Sequence, residues 1–163
     1  MKVLNTINLK LKKMEIVNNN SIEEIKIREV LEDYWEGIRT KDADRAMSHF
    51  TSDLVEFLLA PPLKYGGKNK MDKKGTDDWF NSFEGNIGYD VHDLKIAASE
   101  SIAWYYSLIH LSGVQKPQKT DLWFRFTAGL MKINGEWKIA HQHESVPFYM
   151  DGSNKAATDL KPE

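Results

Sequence analysis

Cysteine is missing from all 163 residues, which excludes disulfides, thiolate metal sites and cysteine nucleophiles together. Neither sign of charge dominates. Twenty-two Lys and Arg stand against 24 Asp and Glu, for a net charge of −2, so no strong field draws the chain toward nucleic acid. No apolar run approaches the roughly 20 residues that a bilayer-spanning helix needs. The basic opening MKVLNTINLKLKKMEIV interrupts its apolar residues with Asn5, Asn8, Lys10, Lys12 and Lys13. It lacks the unbroken apolar centre of a secretory signal. These absences lead to the expectation of a cytoplasmic protein with no membrane and no nucleic-acid partner. Residues 1–20 are expected to be a flexible N-terminal segment.

The rest of the chain is patterned. Ser21-Ile22-Glu23-Glu24 has the spacing of a capping box, and Ile27, Val30, Leu31, Tyr34 and Ile38 follow at helical intervals to about Thr40. Asp42 can cap a second short helix, with Ala43, Ala46, Met47 and Phe50 on one face. LVEFLL, residues 54–59, reads as a buried strand that Pro61 and Pro62 end. The stretch 60–75 carries Pro, Gly and Lys in the manner of a loop, and TDDWFNSF, 76–83, reads as a short helix. Strands are expected over 89–98, 102–112, 121–132 and 136–146, with turns at Ser99-Glu100-Ser101 and Asn134-Gly135. Helices followed by a run of strands indicate one α+β domain over residues 21–150. Residues 151–163 read as a polar C-terminal tail.

The segment LWFRFTAGLMKINGEWKIAHQHESVPF, 122–148, resembles the SnoaL-like, ketosteroid-isomerase-like branch of the nuclear transport factor 2-like superfamily. Its Arg-x-Thr, Gly-x-Trp hairpin and His-x-His-x-Ser are the features that carry the likeness. The helical opening YWEGIRTKDADRAMSHF, 34–50, fits the family's first two helices. The last strand is also similar to the association domain of calcium/calmodulin-dependent protein kinase II. The resemblance implies a cystatin-like fold, a cone-shaped curved antiparallel sheet with N-terminal helices packed on one face. It also implies a small-molecule pocket and a homodimer formed through the outer sheet face. The fold hosts isomerases, cyclases, dehydratases and association modules, so it does not name an activity. A ketosteroid isomerase requires a carboxylate base, plus a tyrosine and a protonated Asp that together hold the developing oxyanion. Tyr34 matches the tyrosine, eight residues before Asp42. Leu58 and Gly129 stand near the other two positions, and neither can do that chemistry.

Two histidines, His141 and His143, lie two apart in the last strand. In regular alternation they share a face with Trp137 and Ile139. A metal would need further ligands converging on them, and no spacing demands any, so no metal and no cofactor are expected. The Asn134-Gly135 hairpin decides which residues meet them. A two-residue type I′ turn, the favoured reading, puts Arg125 opposite Glu144 and Thr127 opposite Gln142. A three-residue loop with a bulge puts Arg125 opposite His143. The favoured register gathers Trp123, Arg125, Thr127, Gln142 and Glu144 on one polar face with Tyr34. These six are the expected ligand-binding residues, with Tyr34, Arg125 and Glu144 as catalytic candidates. Leu122, Phe124, Phe126, Ala128 and Leu130 would then form an outer apolar stripe for a partner subunit, unless that stripe is the core and Arg125 faces solvent. The expected function is binding, with enzymatic turnover as an option, of a hydrophobic, oxygenated small molecule. The alternative is a non-catalytic oligomerisation module.

Overall fold

The computed structural model describes residues 22–163. The expected flexible segment 1–20 and the Ser21 end of the capping box lie outside the described residues. Helix α1 covers 22–40. Lys41 ends it in a left-handed conformation (φ 60°), with Lys41 N–H donating to the Ile38 carbonyl and Asp42 N–H to that of Gly37. This closes the last carbonyls of the helix. Asp42 then caps α2 (Ala43–Met47) by accepting from Arg45 N–H at 2.9 Å. The two helices touch at Gly37, where a Cβ would come within 2.7 Å of Ala46 N.

Strand β1 (Phe50–Phe57) follows, then a loop, α3 (Lys73–Asn81), and four long strands. These are β2 (Phe83–Ala98), β3 (Ile102–Gln115), β4 (Gln118–Ile133) and β5 (Glu136–Ser145). The sheet order is β1-β5-β4-β3-β2. Strands β2 to β5 form the expected antiparallel series. At one edge of this sheet β1 pairs with β5 in parallel. The helical connection before β1 leaves it running alongside β5, so the five-stranded curved sheet is mixed.

The helices cover one sheet face. Ile27, Leu31, Tyr34, Trp35 and Ile38 of α1 pack against Tyr105, Ile109, Phe124, Phe126, Ala128, Leu130, Trp137 and Ile139. The β4 apolar stripe, with Phe126, Ala128 and Leu130 each 1% exposed, is therefore the core. Its expected exposure to a partner subunit is corrected. Buried Glu23 fastens α1 to the sheet by accepting from Lys132 Nζ and Trp137 Nε1, both at 2.7 Å. The tail is irregular, although Ala157 is buried and Phe148 bridges Ala156. No helix among the described residues is long and apolar enough to cross a membrane.

Candidate functional site

The β4–β5 hairpin positions the site in two stages. Asn134 (φ 52°) and Gly135 (φ 87°) both take positive φ, the requirement of the two-residue type I′ turn. Ile133 pairs with Glu136, and Leu130 with Ile139, as that turn demands. The register then shifts, because Gly129 pairs with His141 and Ala140 is passed over. This is a β-bulge, and one extra residue exchanges the faces of everything beyond it. Trp137 and Ile139 point into the core before the bulge; Gln142 and Glu144 point inward after it. His141 and His143 turn to the outer face, so their expected place on the Trp137–Ile139 face is corrected.

The same shift separates the six expected site residues. Arg125 pairs with Ser145, and Thr127 with His143, in place of Glu144 and Gln142. Arg125 and Thr127 are exposed on the outer face. Trp123 lies half-buried, stacked on His110 at 4.6 Å, where it lines a separate open groove with His92 and Arg39. Tyr34, Gln142 and Glu144 are the three that come together on the helix side. His141 donates from Nδ1 to the Val55 carbonyl at 2.8 Å, and Phe57 meets both imidazoles edge-on.

A cavity of about 480 Å³ opens between α1, α2, α3 and the inner sheet face, a volume suited to a small organic ligand. Its walls are mostly apolar, including Ile38, Phe50, Leu58, Trp79, Phe80 and Phe124. The polar groups converge at one end. Tyr34 Oη donates to Gln142 Oε1 at 3.2 Å, and Gln142 Nε2 donates to Glu56 Oε1 at 2.6 Å. Glu56 is a ladder neighbour of Gln142 across the parallel β1–β5 pair. An irregularity in β1 between Phe50 and Val55 turns Glu56 inward along with Thr51 and Leu54. Glu144 also lines the cavity, and its Oε2 accepts from Leu59 N–H at 3.3 Å. Tyr89 enters from β2; its buried hydroxyl has no hydrogen-bond partner among the described residues.

Electrostatics follow from burial. Glu144 is held in its neutral form unusually far up the pH scale. Burial, followed by the nearby Glu56 charge, outweighs the Leu59 hydrogen bond and pushes its carboxyl up to about 7. Burial also raises Glu56, against the opposing Gln142 hydrogen bond. Tyr34 is raised by burial and by the two carboxylates, and Tyr89 chiefly by burial. Both phenols are thus protonated donors at neutral pH. No Lys, Arg or His among the described residues lines the cavity. The site can accept or give a proton at Glu144 while two phenols stand ready to hydrogen-bond an oxygen.

Glu56 and Tyr89 escaped the sequence reading. Glu56 carried one signal, a lone carboxylate within the apolar run LVEFLL. Tyr89 carried none, since an aromatic in a strand reads as ordinary core.

The SnoaL-like domain model matches residues 27–149 of this chain. Among solved structures, an NTF2-like protein of unknown function from Pseudomonas putida KT2440 is 24% identical, with a TM-score of 0.77 over 87% of this chain and 98% of its own. A protein from Novosphingobium aromaticivorans, named as a candidate scytalone dehydratase, is 19% identical, with a TM-score of 0.68 over 79% of this chain and 87% of its own. A nuclear transport factor 2 superfamily protein from Salmonella enterica is 17% identical, with a TM-score of 0.65 over 82% and 95%. No curated protein matches this chain.

Proposed function

The chain belongs to the SnoaL-like domain family, and from that premise we propose that it is an acid–base enzyme of the isomerase, cyclase or dehydratase kind acting on a hydrophobic, oxygenated small molecule. The observation that carries the reading is Glu144. It is a carboxylate in a mostly apolar cavity with no cationic neighbour among the described residues, raised to about 7. A group that ionises near neutral pH is suited both to take and to return a proton. Tyr34 and Tyr89 supply hydrogen bonds to a substrate oxygen that gains negative charge as the proton leaves. For Tyr34 this means exchanging its 3.2 Å bond to Gln142 for one to substrate. Tyr89 has no bond to give up among the described residues. Polarisation of a carbonyl by Arg125 has no support, since that side chain is on the opposite sheet face. The dehydratase name of the Novosphingobium neighbour agrees with this class of chemistry.

The test is a turnover screen of hydrophobic ketones and secondary alcohols with the wild-type chain and Glu144→Gln. A substrate should turn over with an apparent ionisation near pH 7, and Glu144→Gln should lose about 10²–10⁴-fold. Turnover that survives Glu144→Gln unchanged would overturn the assignment.

A second reading, association through the outer sheet face, draws support from a different observation. Ile102, Trp104, Tyr106 and Met131 are all exposed there, and Trp104 stacks on Tyr106 at 5.7 Å. Such a patch suits a second copy of the chain related by two-fold symmetry. Light scattering at micromolar concentration should return twice the monomer mass for wild type and the monomer mass for Trp104→Glu. A monomeric wild type would remove this reading.

A further inference from the structure

Among the described residues, two carboxylates and no cation face the cavity. Glu56 and Glu144 both line it, with no Lys, Arg or His among the described residues. Glu56 accepts one side-chain hydrogen bond among the described residues, at Oε1 from Gln142. Burying carboxylates without a counter-ion opposes folding, and such an arrangement points to a charge that arrives from outside the chain. A second observation is independent of charge. Tyr89 is 3% exposed and lines the same cavity, yet its hydroxyl is unpartnered among the described residues. A buried hydroxyl in that state lacks an acceptor that a ligand can supply. Around these groups stand the rings of Phe50, Trp79, Phe80 and Phe124, whose faces attract cations.

We infer that the cavity takes a hydrophobic amine, with its apolar body against the aromatic walls, its protonated nitrogen beside Glu56 and an oxygen accepting from Tyr89. The inference rests on the acid–base reading of this cavity and names its substrate class. Glu56 anchors the charge, and Glu144 remains the proton carrier. The same pattern excludes carboxylates and phosphates, because a third negative group meets two already present in a region of low dielectric. The titratable groups facing the bound nitrogen are Glu56, Glu144, Tyr34 and Tyr89. Both phenols stay protonated, so only the carboxylates change charge near neutrality. As the medium passes from about pH 6 to about pH 8, Glu144 loses its proton and the attraction for an ammonium group grows.

Naphthylmethylamine, naphthylmethanol and naphthoate present one ring system with positive, neutral and negative substituents. Isothermal titration of the full chain with each, at about pH 6 and about pH 8, separates the possibilities. The amine should bind at least about tenfold tighter than the alcohol at the higher pH, as expected of a charge-assisted bond. That advantage should shrink at the lower pH, and naphthoate should give no measurable heat. Glu56→Gln should weaken the amine about tenfold while leaving the alcohol within about threefold. An alcohol that binds as tightly as the amine at both pH values, or a naphthoate that binds as well as the alcohol, overturns the amine assignment and leaves the acid–base site standing. If none of the three binds, the amine assignment falls, while the acid–base reading is decided separately by turnover and its loss in Glu144→Gln. The wild-type series decides the matter even where Glu56→Gln fails to fold.

Discussion

Replacing Glu144 by Gln should stabilise the protein by an amount that grows as pH rises from about 4.5 to about 7. Unfolded, the carboxyl ionises near 4.5; folded, burial and the Glu56 charge push it up to about 7. The native state therefore binds this proton more tightly than the unfolded state. The associated stability is fully present below pH 4.5 and is lost as pH rises through about 7. Linkage over that interval amounts to about 3 kcal/mol. Part of Glu144 remains exposed toward the cavity, and screening by water there brings the working figure to about 2 kcal/mol. Glutamine keeps an acceptor for Leu59 N–H and cannot ionise. Urea unfolding followed by circular dichroism at pH 5 and pH 8 reads the difference. Glu144→Gln should match wild type within about 0.5 kcal/mol at pH 5 and exceed it by about 2 kcal/mol at pH 8. In a chain of this size that corresponds to roughly 4–8 °C in Tm. Glu56 titrates in the same direction but is common to both proteins, so it largely cancels. Parallel stability–pH curves for wild type and variant would mean that Glu144 ionises equally easily in the folded and unfolded states, contrary to its burial.

Four further outcomes follow from the same geometry. Lys132 and Lys26 hold the Glu23 carboxyl down to about 2, so its contribution is present above about pH 4.5 and lost as pH falls toward 2; Glu23→Ala should lower stability at pH 7 by about 2–4 kcal/mol in urea unfolding. Phe126→Ala, at a position 1% exposed, should lose about 3–5 kcal/mol, whereas Arg125→Ala next to it should stay within about 0.5; similar losses for both would contradict the assignment of faces. Deleting Ala140 removes the extra residue and leaves Leu130–Ile139, Gly129–His141 and Ala128–Gln142 to pair without a bulge, so Gln142 and Glu144 should keep facing inward and the thermal melt should stay cooperative; loss of cooperative unfolding would contradict the place of Ala140 as the passed-over residue. A 3-oxo-5-ene steroid should show no isomerisation by absorbance, since Leu58 lines the cavity near the place of the base and Gly129 has no donor to offer.

Periodicity made the elements legible in the sequence. Helical spacing from Ile27 to Ile38, the Asp42 cap and the Asn134-Gly135 turn all depend on neighbours within a few residues, and local sterics decide them. The α+β class, the family and the inward place of Tyr34 follow from that level. Which residues share the cavity does not. Alternation along β5 holds until Ala140, and a single passed-over residue in a strand of plausible β sequence leaves no mark on hydrophobic pattern. The bulge exists because two strands must fit each other and the helices above them, a condition that no window of sequence contains. It separated Gln142 and Glu144 from Arg125 and Thr127, and it sent both histidines to the outer face. Glu56 likewise became a site residue only when an irregular β1 paired in parallel with β5. The high proton affinity of Glu144 is decided last of all, because it comes from apolar walls and a second carboxylate that are remote in the chain and close only in the folded protein.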